Sequence, residues 1–260
     1  MKKYELTDET KTIITSEGET TLHRIRALTD FAQVRAGELG GWIEKEENLS
    51  HINTAWVSEE AKVYGEAKVY GKARVYGKAK VYGEAKVYGK ARVYGKARVY
   101  GKAMVHGEAV VYGEAEVCGE AKVCGKARVY GKAKVYGEAK VSGRAVVYGE
   151  AMVHGEAVVY GEAEVCGEAE VCGKADVCGE ASIFSRDHVL TIGMIGSRSD
   201  FTTFFRNNEN EITVKCGCFY GNINEFLEKV TDTHKDSKHA LVYRAAAEVA
   251  RLQIDLDTEI

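Results

Sequence analysis

The sequence predicts a mainly β protein: a β-solenoid of about seven triangular coils with a β-rich amino-terminal cap and a small α+β carboxy-terminal module. Three observations carry this. Twenty-two consecutive hexads of the form VYGxAx run from Val57 to Ile183. Within a hexad such as Ala67-Lys68-Val69-Tyr70-Gly71-Lys72, Ala and Val share one parity while Lys and Tyr share the other, a period of two that marks strand. A glycine falls in every hexad from Gly65 to Gly179, two residues after the valine, where a backbone at positive φ can turn a corner between short strands.

Residues 1–56 lack the hexad register and read as the amino-terminal cap. Thr12 to Thr15 and Thr21 to Arg26 form strands of a hairpin around Ser16-Glu17-Gly18-Glu19. The stretch from Gly37 to Glu44 then leads to a turn at Glu47-Asn48-Leu49-Ser50, just before the first coil.

Residues 57–184 form the solenoid. Successive strand side chains point to opposite faces, so the parity carrying Lys62, Lys68, Arg74, Lys80 and Lys86 faces water. Val and Ala therefore line the interior, and the tyrosines point outward with the lysines. Three bends of about 120° close a coil of eighteen residues, and about seven coils at roughly 4.8 Å spacing make a prism about 30 to 35 Å long. Three valines and three alanines cannot order one coil alone, so stability is shared between neighbouring coils and both ends need caps.

Residues 185–260 break into a different pattern. Val189 to Ile195, Phe201 to Phe205 and Ile212 to Cys216 read as strands, with a turn at Asn207-Asn208-Glu209-Asn210. Asn222 or Asn224 caps a helix through Glu225 to Val230, and a second helix runs from Ser237 or Lys238 to Leu252.

An aliphatic residue with a small residue four positions on, repeated every six, resembles the left-handed parallel β-helix of hexapeptide-repeat proteins; the handedness comes from that resemblance alone. The flanks are similar to those of phage and prophage members of that group. The matching stretches are LxRIxALxDF at Leu22 to Phe31, GxLGGWIExExNLS at Gly37 to Ser50, GSRxxFTTFxR at Gly196 to Arg206, and CGCFxGxxxEF at Cys216 to Phe226. The resemblance implies a phage or prophage origin and a homo-oligomer, trimer or dimer, without implying an activity.

Composition narrows the function classes. The chain has 260 residues, a formal net charge of −3 and no apolar run long enough to span a bilayer, so no membrane partner is expected. Its first residues lack the apolar stretch of a signal peptide, and seven cysteines, none of the repeat ones eighteen residues from another, argue for reduced thiols; the expected location is the cytoplasm of a bacterial host. Charge is polarised. Residues 61–102 carry twelve Lys/Arg against Glu66 and Glu84, whereas residues 150–180 carry eight acids against Lys174. Most such surfaces are merely solvated, but nucleic acid lying on the basic half is an alternative.

Candidate sites are few. Residues eighteen apart stack in adjacent coils, so Tyr76, Tyr94, Tyr112, Tyr130 and Tyr148 form one uninterrupted aromatic ladder, either a surface stabiliser or a platform for a partner or nucleobases. His106 and His154 replace tyrosine and are similar to the catalytic base of hexapeptide acyltransferases. Against that role, no loop interrupts the hexads to build a substrate pocket. Moreover, Met104 to Ala127 recurs at Met152 to Ala175 with one difference, Lys122 against Glu170, at an offset of 48 residues that is not a whole number of coils, so the two copies face different sides. The column neighbours His106/Cys124 and His154/Cys172 offer two ligands each on a convex face, a poor metal site, and no metal or cofactor is expected. Cys216-Gly217-Cys218 breaks the repeat; if the strand continues, both thiols lean to one side, with Arg198, Glu225 and His234 as neighbours for a binding site, against a plain reading as buried core thiols. The expected function is a non-catalytic scaffold whose rigid prism displays a carboxy-terminal recognition module for a host or phage protein, with acyltransferase and nucleic-acid binding as the alternatives.

Overall fold

The computed structural model describes residues 2–16 and 18–258; Glu17, in the expected hairpin turn, lies outside them. From Trp56–Val57 to Ser182–Ile183 the chain forms twenty-two two-residue strands, distributed over three parallel sheets. Each strand pairs with the one eighteen residues on, as Val63 with Val81 and Val81 with Val99. Three backbone donors per hexad tie one coil to the next: Lys72, Arg74 and Tyr76 donate to Gly89, Ala91 and Val93 at 2.7 to 3.0 Å. The repeat valines and alanines are fully buried, as the alternation requires. Corner glycines sit at φ between +60 and +75°, and they are needed for a second reason. A Cβ on Gly107 would lie 2.9 Å from the Gly125 nitrogen in the next coil, so no side chain fits between stacked corners.

The solenoid has about eight coils rather than seven, because an additional one precedes the recognisable hexads. After the antiparallel hairpin β1 (Tyr4–Thr15) and β2 (Gly18–Ala27), strand β3 (Leu39–Ile43) pairs with β2 and also lies parallel to Lys62–Val63. Leu49 bridges Val69, and Trp56 pairs with Arg74, which completes the turn. Where the chain leaves strand geometry, side chains supply the missing donors. Buried Asn48 gives its amide to the carbonyls of Gly65 and Ala67, both at 2.9 Å. The new end exposes carbonyls of its own, and these are capped by Lys3 Nζ on Ser50 and Ala55, at 2.6 and 2.7 Å, and by the Tyr4 hydroxyl on Glu46 and Leu49.

At the other end, strands Val189–Ile195, Asp200–Arg206, Ile212–Cys216 and Phe219–Asn222 form an antiparallel sheet in that order, covered by helices α1 (Ile223–His234) and α2 (Lys238–Gln253). Both helices have the expected starts, with Asn222 and Ser237 as caps. The fourth strand was not anticipated. Strand alternation gives the Asp200–Arg206 segment two faces: Phe205 is buried in the solenoid core, while Phe204 is buried among the helices. Thr203 Oγ1 accepts from the Asp176 N–H at 3.0 Å, and the Arg206 guanidinium lies 4.5 Å from the Phe184 ring centre. The module is thus the lid of the solenoid and not a tethered domain. Among the described residues no helix is long and apolar enough to cross a membrane.

Candidate binding site

Four of the residues singled out at the carboxy-terminal end meet in one cavity of about 210 Å³: Arg198, Cys216, Cys218 and His234 all line it. Arg198 belongs to the tight turn between the first two strands of the module, where Gly196 and Ser199 both take positive φ. Cys216 ends its strand, and the strand does not continue: Gly217, at φ +55°, and Cys218 form a two-residue hairpin that returns as Phe219–Asn222. A glycine at positive φ in the first turn position is what a type II′ hairpin requires. The expectation that both thiols lean to one side of a continuing strand is therefore corrected. Cys216 is half-buried under the helices and Cys218 is exposed at the rim, although both reach the same cavity.

His234 is the last residue of α1, and its ring lies 5.7 Å from that of Tyr243 on α2. Tyr243 is the residue that sequence reasoning missed. Its hydroxyl lies 3.9 Å from Cys216 Sγ, whose other neighbour, the Thr202 hydroxyl, donates at 3.2 Å. Burial, with Cys216 beside it, pushes the Tyr243 phenol up to about 12, so it stays neutral. Phe219 and Phe226 make the apolar floor, while Arg198 and Lys229 bring positive charge to the mouth against the single acid Asp200. Glu225 is not part of this group. Its carboxylate turns back to accept from the Asn222 N–H at 2.9 Å and closes a capping box at the start of α1. The motif was readable, since Asn222 and Glu225 stand three apart before an apolar run.

A larger hollow of about 910 Å³ lies between the β1–β2 hairpin and one corner of the solenoid. Its walls are glycine corners, the Tyr64 and Tyr82 rings, and exposed charges that already pair with each other, Lys45 with Glu66 and Lys102 with Glu120. The smaller cavity is the one in which the residues singled out from the sequence converge, over the aromatic rings of Phe219 and Phe226.

On the solenoid, Tyr76, Tyr94, Tyr112, Tyr130 and Tyr148 stack as expected, with ring centres 4.7 to 5.0 Å apart and planes within 12°. The rings are half-buried against one another, and burial raises the Tyr76 and Tyr112 hydroxyls above the ordinary phenol value. His106 and His154 extend other columns, 4.8 Å from Tyr88 and 4.7 Å from Tyr136. Where basic and acidic coils meet, charges pair vertically, Lys90 with Glu108 at 2.8 Å and Lys96 with Glu114 at 2.7 Å. Such exposed pairs are worth little each, about 0 to 1 kcal/mol.

Together these features define a parallel β-solenoid protein closed at one end by an α+β module that carries a small cavity. The chain matches no protein-family model and no curated protein.

Proposed function

We propose that the chain is a non-catalytic interaction protein of the phage or prophage hexapeptide-repeat kind, a left-handed solenoid that acts as a rigid mount for its carboxy-terminal module. The module's cavity receives one side chain or chain end of a host or phage protein in the bacterial cytoplasm. The observation that carries this reading is the strand Asp200–Arg206, whose Phe205 is locked into the solenoid and whose Phe204 supports the module, so that the cavity is held at a fixed place on a stiff body. Size supports it as well: at about 210 Å³ the cavity falls below the ~300 to 1,000 Å³ of sites that hold a drug-sized ligand or cofactor. Positive charge at the mouth over an aromatic floor suits an acidic or carboxylate-bearing group, and self-association as a trimer or dimer would multiply the contacts.

The test captures partners from host extract with the intact protein, with Arg198→Glu and with Tyr112→Ala. The partner is expected to be lost with the first variant and retained with the second; the reverse pattern moves the interaction to the tyrosine face. Titration with coenzyme A derivatives should be silent, and tight binding there would replace this reading with an acyltransferase.

A further inference from the structure

The solenoid carries one cluster of three different metal-binding side chains. His154, Glu170 and Cys172 each bring one donor atom within 4.8 Å of the other two. His154 and Cys172 stack in one column, and Glu170 reaches across the diagonal from the adjacent coil, its Oε1 2.8 Å from His154 Nε2. We propose that these three residues bind a zinc-class divalent cation, with a fourth position open to water.

The donor set is imidazole, carboxylate and thiolate, a combination that suits a borderline cation and disfavours magnesium or calcium, which prefer all-oxygen sites. Around a tetrahedral zinc the donor atoms stand about 3.3 to 3.6 Å apart, as bond lengths of ~2.0 to 2.3 Å require. No pair of donors in the cluster is farther apart than 4.8 Å, and Cys172, which is exposed, has only one side-chain torsion to adjust to close the difference. The outer oxygen of Glu170 is already paired: Arg186 Nε forms an ion pair with Oε2 at 3.1 Å, while Oε1 faces the His154 imidazole. The His154 ring is itself fixed by stacking on Tyr136. Partners that orient ligands in this way are a regular feature of metal sites. On binding, the Cys172 thiol gives its proton to water and its sulfur forms the bond to the metal, while His154 binds as neutral imidazole.

The chain contains its own control. The copy of this segment eight hexads earlier has His106 and Cys124 in the same relation, but Lys122 stands where the later copy has Glu170. That single difference removes the third ligand and puts a cation in its place, and burial, with Lys122 beside it, holds the His106 imidazole below its usual value. One site is therefore expected per chain.

The experiment titrates zinc, and separately cobalt as a spectroscopic substitute, into the reduced full-length protein. The wild type should bind one equivalent and show the sulfur-to-cobalt charge-transfer band of a thiolate ligand. Glu170→Lys and Cys172→Ser should each lose that equivalent by at least tenfold in affinity with unchanged circular dichroism, Arg186→Gln should weaken it about tenfold, and Lys122→Glu should take up a second equivalent. Equal binding by wild type and Glu170→Lys, or no second equivalent in Lys122→Glu, overturns the proposal.

Discussion

The closeness of the stacked corners can be measured by placing the same substitution at two glycines that differ only in what lies above them. Gly107 and Gly173 have nearly the same backbone, at φ +72° and +64°, so alanine incurs the same left-handed penalty at both, about 1 to 2 kcal/mol. At Gly173 the added methyl meets nothing within 4 Å, whereas at Gly107 it would stand 2.9 Å from the Gly125 nitrogen and 3.0 Å from its oxygen. Relief requires the two coils to part locally, which stretches the bonds from Glu108 to Gly125 and from His106 to Val123, now 2.7 and 2.9 Å long. Each is worth about 1 kcal/mol net, so Gly107→Ala should cost roughly 3 to 4 kcal/mol and Gly173→Ala only about 1 to 2. Urea titration followed by far-ultraviolet circular dichroism reads the difference, with midpoints compared directly because a solenoid need not unfold in one step. If both variants lose the same stability, coil-to-coil contact is not what demands glycine, and backbone conformation alone accounts for the repeat.

Two further outcomes follow from the ends and faces of the prism. Phe205→Ala removes a fully buried ring from the mouth of the solenoid and should cost about 3 to 5 kcal/mol, detaching the module before the central coils melt; protease cleavage near residues 185–210 checks this, and an undamaged lid contradicts it. The tyrosine columns should make the fold sensitive to alkali. Burial holds Tyr64 up to about 12, so the folded chain keeps a proton that the unfolded chain releases near the ordinary phenol value of 10. Stability is then fully present below pH 10 and falls as the pH rises from 10 towards 12, and a urea midpoint unchanged over that interval would refute the assignment of the rings as half-buried.

Much of this architecture was legible because it is periodic. The two-residue alternation placed Val and Ala inside, the recurring glycine placed the corners, and the eighteen-residue sum placed Tyr76 under Tyr94 without any coordinates. Local chemistry was legible too: the hairpin of β1 and β2, and the Asn222 and Ser237 caps, announce themselves within a few residues. The first coil escaped because it keeps the stacking and abandons the hexad, with the Asn48 side chain donating where backbone elsewhere does.

What the chain alone determined, then, is everything that repeats, since a repeated hexad has one way to bury its small side chains. What only the tertiary structure decided is every place where segments with no common period meet. The cavity needs a turn, a hairpin and two helices, and Cys216 and Cys218 part there because a strand ends. Arg198, His234 and Tyr243 reach the cavity from three separate elements. Contacts of that kind depend on how the faces of separate elements are set against each other, and no spacing along the sequence encodes that.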